Sequence, residues 1–385
     1  MVKHFRFRTP NTVIFGMNTV DQVGAEAREL GADRAMVVTD QGVVKAGLVE
    51  KVLSPLKEEK IGVEVFDGVE PEPPIGNLLD SVKMAEKGKF DVIIGLGGGS
   101  CMDVAKLTSA MMTNEGEIHE FFGVDKVPHK GLPTILVTTT SGTGSEVTRM
   151  AVFTDTDENL KKVVSAQNIL GDLAIVDPLM AVTMPQRVTA STGMDALIHA
   201  IESYVAVNSN PLTDVIALEA IRLVAVNLGP AFAHGEDLNA RFNMALGSLL
   251  AGISLNNAGA GAVHALAYPI GGAYHVSHGV GLVVVLRETL KAISMANLPK
   301  FVNIAQALGE PIQTLSMREA AEKGIETVIA LAKDVGLPCS LKEIDADKSK
   351  VHEWAEAAYK EKRLLGNTPR DLTLEDIAGI FERSF

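Results

Sequence analysis

The sequence predicts an α/β domain followed by an all-helical domain, and three observations carry that expectation. Short apolar runs alternate with amphipathic stretches through the first half of the chain. After about Pro185 the strand-like runs become scarce and long helical patterns take over. The 35 glycines are unevenly spread, with clusters around residues 95–99, 142–144 and 252–281 of the 385, which mark places where backbone must turn sharply or pass close to something.

Taken in order, residues 35–40, 63–66, 91–95, 134–137 and 173–176 read as buried strands, with amphipathic helices over 48–56 and 77–86 between them. Such alternation argues for a parallel sheet covered on both faces. Residues 5–15, with Thr9-Pro10-Asn11 at their centre, read as a separate hairpin. Helices are expected over 192–205, 212–226, 240–255, 318–334 and 350–362. Asp177-Pro178 and Met184-Pro185 interrupt the periodicity. The expected domains are therefore 1–183 and 184–385, with a cleft between them.

Composition narrows the function. Hydrophobic residues at 46% and charged residues at 22% exclude a disordered chain. With 35 Lys+Arg against 48 Asp+Glu the net charge is −13. A phosphate backbone would be repelled without a local basic stripe. None is found, since the basic residues of 57–60 and 360–363 are interleaved with Glu; no nucleic-acid partner is expected. The two cysteines, Cys101 and Cys339, form no CxxC pair, which points to a reducing, cytoplasmic setting and to no thiolate metal site. The first ten residues contain Lys3, His4, Arg6 and Arg8 without an apolar run, unlike a targeting segment. Residues 242–263 lack charge over a bilayer-spanning length. Their Asn243, Ser248, Asn256, Asn257 and four glycines suit a buried helix and loop instead, so no membrane span is expected.

The strongest glycine signal is DVIIGLGGGSCMDVAK over residues 91–106. A strand runs into Gly95, Gly97, Gly98, Gly99 and Ser100, then into a helix whose unpaired N–H groups suit an anion such as a pyrophosphate. A tight turn without a ligand is the alternative, and Ser100 stands where G-x-G-x-x-G would place its last Gly. A second loop, LVTTTSGTGSEVT over 136–148, also follows a strand and offers hydroxyl donors at the sheet's carboxyl end. Asp40 ends the first strand of the set. It could accept from an adenosine ribose while repelling a 2′-phosphate, or simply cap a helix. Together the three favour a dinucleotide in a Rossmann-like domain, and NAD over NADP.

In the second half, Asp195 and His199 of STGMDALIHAIE are four apart and share a helix face. Residues 261–281 add His264, His275 and His278. Imidazoles with one carboxylate make a mixed N/O set suited to a divalent ion such as Fe or Zn. A surface Asp–His pair is the alternative. The apolar, glycine-rich surroundings weigh against it, because ionisable groups are seldom buried there unless paired or metal-bound.

GGGSCMDVAK, TTTSGTGSEVT, DALIHAIESY, the pair His264/His278 fourteen apart, PNTVIFG near the start and NTPRDLTLEDI near the end cover essentially the whole chain. In these motifs the sequence resembles the iron-containing (group III) alcohol dehydrogenase family. The resemblance implies a dinucleotide-binding α/β domain and a helical metal-binding domain, in the architecture shared with dehydroquinate synthase-like enzymes. It implies NAD and Fe2+ (or Zn2+ or another divalent ion) as cofactors, a small alcohol, diol or aldehyde as substrate, and a homo-oligomer. The family's ligand set falls on Asp195, His199, His264 and His278. Its cofactor contacts fall on Asp40, Gly99, Ser100, Asp103, Thr139, Thr140, Thr148 and Lys161, beside Gly97 and Gly98 of the turn. Many relatives carry a second histidine four residues after the one matched by His264, where this chain has Tyr268. The proton-moving candidates are then His275 and Tyr268, with a structural role open for His275. Glu72 replaces an Asn found in several relatives, and Arg149 could face a carboxylate or sit in an ion pair. A hydroxyacid–oxoacid transhydrogenase or a glycerol-type dehydrogenase is the alternative activity. Net NADH release separates an alcohol dehydrogenase from the transhydrogenase and from the related lyases.

Overall fold

The computed structural model describes residues 4–156, 160–274 and 276–385. The chain divides into two units, Thr9–Met184 and Pro185–Phe385, the latter taking with it the segment through Arg8.

In the first unit the strands are β1 (Thr12–Phe15), β2 (Arg34–Val38), β3 (Gly62–Phe66), β4 (Val92–Gly97), β5 (Gly123–Val124), β6 (Thr134–Thr138), β7 (Met150–Asp155), β8 (Leu160–Ser165) and β9 (Leu173–Val176). The helices are α1 (Val23–Glu29), α2 (Gln41–Lys45), α3 (Val49–Glu58), α4 (Ile75–Gly88), α5 (Gly99–Met111) and α6 (Ile118–Phe121). Six strands form a parallel sheet in the order β1-β9-β6-β4-β2-β3. Its central strands are apolar at nearly every position because both faces are covered. Ala35, Val37, Val92, Ile94, Leu96, Ile135 and Val137 pack with Val23 and Ala27 of α1 and Val52 and Leu56 of α3. The alternate residues Met36, Val38, Ile93 and Leu136 pack with Leu78 of α4 and with Met102 and Ala105 of α5. That alternation is the period of two of a strand, and each fully buried aliphatic side chain contributes about 1.5–3 kcal/mol.

Two local expectations need correction. Residues 5–15 form no hairpin: β1 instead joins the sheet edge parallel to β9. The preceding backbone is engaged elsewhere. The Arg8 N–H donates to Asn257 Oδ1 at 2.6 Å, and its carbonyl accepts from Asn256 and Asn257 amides at 2.9 Å. Pro10 has no N–H to offer a ladder. The second difference is a small sheet, β5-β8-β7, whose antiparallel β7–β8 pair the apolar runs did not announce. β7 alternates partly exposed Met150, Val152 and Thr154 with buried Ala151, Phe153 and Asp155.

The second unit contains α7 (Gln186–Val205), α8 (Pro211–Ala233), α9 (Leu238–Ala258), α10 (Ala262–Tyr274), α11 (His278–Ser294), α12 (Leu298–Ala307), α13 (Met317–Asp334), α14 (Val351–Tyr359), α15 (Lys362–Leu365) and α16 (Leu374–Arg383). The uncharged stretch 242–263 is no single span. Gly259, at φ 81°, ends α9 before α10 begins. Among the described residues one helix, α8, is long and apolar enough to cross a membrane by length and composition. It starts at Asn210, whose Oδ1 accepts from the Leu212 and Thr213 N–H groups while Pro211 occupies the first turn.

Candidate active site

In the sheet unit, the parallel register of β2, β4 and β6 brings Asp40, the Gly97–Ser100 turn and the loop after Thr138 to the carboxyl edge of adjacent strands. Gly97 has φ 148°, and a Cβ there would fall 2.5 Å from Cys101 Sγ. A Cβ on Gly99 would meet Thr143 Cγ2 at 3.0 Å, so the two loops press together where glycine leaves room. The Thr139 N–H donates to the Gly97 carbonyl at 3.0 Å. Thr140 Oγ1, beside Gly98, is buried without a hydrogen-bond partner among the described residues, as is Thr39 Oγ1. Asp40 caps α2, its Oδ1 accepting from the Gly42 and Val43 N–H groups at 2.7 and 2.9 Å, while Oδ2 accepts from Cys101 Sγ at 3.2 Å. Burial, together with the Asp40 charge, pushes the Cys101 thiol well above its ordinary range.

Asp103 and Lys161, expected at the cofactor, also have partners within the chain. Asp103 Oδ1 accepts from Ser145 Oγ at 2.6 Å and lies 3.1 Å from Lys106 Nζ, and Oδ2 accepts from the Val152 N–H at 2.9 Å. Lys106 is buried and also donates to the carbonyls of Thr148, at 3.3 Å, and Met150, at 2.6 Å. Burial pushes its ammonium pKa down, partly offset by Asp103 and Glu146. Glu146 is buried with Oε2 unpartnered among the described residues, and burial pushes its carboxyl up to about 7. Lys161 is paired with Glu72 at 3.2 Å, and Arg149 with Asp125 at 3.3 Å. The ion pair was the alternative role for Arg149.

In the helical unit, α7 presents Asp195, His199 and Glu202 on one face. The Nε2 atoms of His199, His264 and His278 lie 3.4, 3.8 and 3.7 Å from Asp195 Oδ1. The His199 and His264 rings stack 4.8 Å apart. Asp195, His199 and His264 are buried with ligand atoms all within 4.8 Å of one another, while the His278 side chain is 33% exposed. Four ligands around a tetrahedral ion with bonds of about 2.1 Å sit roughly 3.4 Å apart, so these separations fit a divalent ion. His264 carries the sharpest sign of fit. Its Nδ1 is hydrogen-bonded to Glu202 Oε2, while its buried Nε2 has no hydrogen-bond partner among the described residues. Burial pushes the His264 pKa down, but the Glu202 charge and hydrogen bond, with Asp195, carry it above the ordinary value.

Glu202 is a site residue that the motif reading missed. It also accepts the Val263 N–H at 2.7 Å, tying the start of α10 to α7. Its signal was present: it stands seven after Asp195 and three after His199, on the same helical face. A Cβ on Gly261 would lie 3.2 Å from Glu202 Oε1. Likewise, a Cβ on Gly279 would lie 2.3 Å from the Ser191 carbonyl oxygen and 2.5 Å from its Oγ, so α11 meets α7 just beyond His278 with no room for a side chain on Gly279. Tyr268 is half-buried one turn after His264, and burial pushes its hydroxyl up to about 12. His275 lies outside the described residues.

A nucleotide-type sheet edge in one unit and an Asp/His cluster in the other define a metal-dependent dehydrogenase class. The model of the family "Iron-containing alcohol dehydrogenase" matches residues 10–178, and that of "Fe-containing alcohol dehydrogenase family, C-terminal" matches 189–385. Long-chain-alcohol dehydrogenase 1 of Geobacillus thermodenitrificans is 42% identical over 373 residues, 96% of this chain and 94% of that protein. The 1,3-propanediol dehydrogenase of Klebsiella pneumoniae is 40% identical, covering 99% of each. A crystal structure of 1,3-propanediol oxidoreductase superposes with a TM-score of 0.97 at 40% identity over 100% of both chains. Alcohol dehydrogenase from Oenococcus oeni gives 0.96 at 37%, over 99% of this chain and 100% of that one. The chain belongs to the iron-containing alcohol dehydrogenase family.

Proposed function

We propose that the protein is an NAD(H)-dependent, metal-dependent alcohol dehydrogenase acting on small primary alcohols or diols and, in reverse, on their aldehydes. The sheet unit takes the dinucleotide and the helical unit takes the metal. The observation that carries this reading is His264, with Nδ1 engaged by Glu202 and Nε2 buried without a hydrogen-bond partner, facing Asp195.

Asp195, His199, His264 and His278 would hold Fe2+, with Zn2+ the other ion such a donor set accepts. When bound, the ion supplies a Lewis acid toward the substrate oxygen. The chain's own residues do the rest. Glu202 fixes the His264 tautomer, keeping the Nε2 lone pair available for a ligand. Backbone N–H groups at the Gly97–Ser100 turn and the Thr140 hydroxyl would take the pyrophosphate. The Asp40 carboxylate would accept from the ribose and repel a 2′-phosphate, favouring NAD. When bound, the nicotinamide would supply the acceptor for the hydride of the carbinol carbon. Tyr268, pushed up to about 12, keeps its proton near neutrality. It can donate a hydrogen bond to the substrate oxygen but does not act as the base.

The test is metal loading followed by turnover. Ferrous iron should bind at one equivalent per chain, and NADH absorbance should then rise with 1,3-propanediol, ethanol or butanol and vanish on chelation. Stoichiometric iron with no NADH formation from any alcohol, and none consumed with any aldehyde, would sink the proposal.

A further inference from the structure

Cys101 is the third residue of α5 and is fully buried. Its thiol is held on two sides. A Cβ on Gly97 would fall 2.5 Å from Sγ and 2.9 Å from the Cβ of Cys101, so the turn leaves room for the thiol only because residue 97 has no side chain. On the other side, Sγ lies 3.2 Å from Asp40 Oδ2. The two oxygens of that carboxylate therefore have different duties. Oδ1 accepts from the Gly42 and Val43 N–H groups at 2.7 and 2.9 Å and caps α2. Oδ2 accepts from the thiol and keeps a further lone pair for another donor. Thr39, the preceding residue, is buried with Oγ1 unpartnered among the described residues, and a buried hydroxyl ordinarily has a partner. The thiol also keeps its proton near neutrality, because burial and the Asp40 charge push it well above its ordinary range. A thiol is a weak donor. It can fix the direction of Oδ2 while leaving most of the negative charge there.

We propose that Cys101 is a positioning residue for the dinucleotide, its thiol aiming Asp40 Oδ2 at the adenosine ribose and so sharpening the preference for NAD over NADP. The inference rests on the sheet edge being the dinucleotide site. Two N–H groups pin Oδ1, but the carboxylate can still pivot about that oxygen; the thiol fixes the remaining freedom. A fixed Oδ2 meets the 2′-hydroxyl of NAD in hydrogen-bonding geometry and holds its charge where a 2′-phosphate would have to lie. Attraction for one ligand and repulsion of the other then come from the same atom. Without the thiol the carboxylate loses its alignment with the hydroxyl and can swing away from the phosphate.

Calorimetric titration of the full chain with NADH and with NADPH reads both affinities, and thermal unfolding checks that each variant is folded. Cys101→Ala should raise the dissociation constant for NADH about fivefold or more while that for NADPH stays equal or falls. Cys101→Val, which fills the space of the thiol without a donor, should do the same. Cys101→Ser keeps a donor and should hold the ratio of the two constants within about twofold of the wild type. In an Asp40→Ala background Cys101→Ala should change neither constant, because the group it acts through is gone. Wild-type NADH affinity in both Cys101→Ala and Cys101→Val overturns the proposal. So does equal weakening of NADH and NADPH, or a loss that persists without Asp40, since either would make Cys101 a packing residue of the turn. A wild type that binds neither dinucleotide would overturn the assignment of the sheet edge itself, and the proposal with it.

Discussion

Around the glycine turn, Asp103, Lys106 and Ser145 satisfy one another, whereas in the helical unit the imidazole of His264 keeps a buried nitrogen without a hydrogen-bond partner. The first region is a backbone cradle braced from below by the linked Asp103, Lys106 and Ser145, beside which Glu146 Oε2 has no hydrogen-bond partner among the described residues. The second is a ring of side chains whose donors converge on one carboxylate oxygen. A linked network holds its shape whether or not a ligand arrives, while converging donors acquire their full set of partners with an ion. The two regions thus rest on different physics, and they should fail differently.

The largest expected effect breaks the cradle. Asp103→Ala leaves the Lys106 ammonium buried without its carboxylate, a change that typically costs about 3–5 kcal/mol. Thermal unfolding should begin at markedly lower temperature while the iron content of the folded fraction stays at wild-type level. An unchanged unfolding temperature with only a raised KM for NAD would instead make Asp103 a cofactor contact. Next in size is Glu202→Gln, which touches the ring without removing a donor. Loss of a partner behind a ligating imidazole costs about 10–100-fold in metal affinity. Competition with a chelator should show that loss with little change in stability; equal affinity would deny Glu202 its orienting role.

The smallest effect concerns Glu146 beneath the cradle. Its carboxyl is raised from an ordinary 4.5 to about 7 by burial, with Lys106 offsetting part of the rise. The folded state therefore holds a proton that the unfolded chain has lost, and this contribution to stability fades as pH climbs from about 4.5 through 7. Glu146→Gln should remove that fade, gaining roughly 2–3 kcal/mol over the wild type at pH 8 relative to pH 5. Parallel pH–stability curves for the two proteins would contradict it.

Much of this was legible in the chain because local spacing encodes it. The four spacing between Asp195 and His199 needs only a helix to become a shared face, and buried parallel strands announce themselves as apolar runs. What stayed hidden depends on partners distant in sequence. Asp103 reads as a cofactor contact, and its partners Ser145 and Val152, 42 and 49 residues on, could not be read from its neighbourhood in the chain. The N-terminal segment reads as a hairpin until Asn256 and Asn257 take the Arg8 backbone. The β7–β8 pair was missed although residues 150–153 are themselves a short apolar run, because the partner strand, β8, carries Lys161 and Lys162.

Gly279 adds a different kind of consequence. The imidazole of His278 is aimed by the distance at which two helices can approach, and that distance is set by an absent methyl group. A substituent there would shift a ligand sideways without altering any ligand's chemistry. The proposed coordination would therefore have a mechanical tolerance, machined into the spacing of the backbone as well as into the identity of its donors.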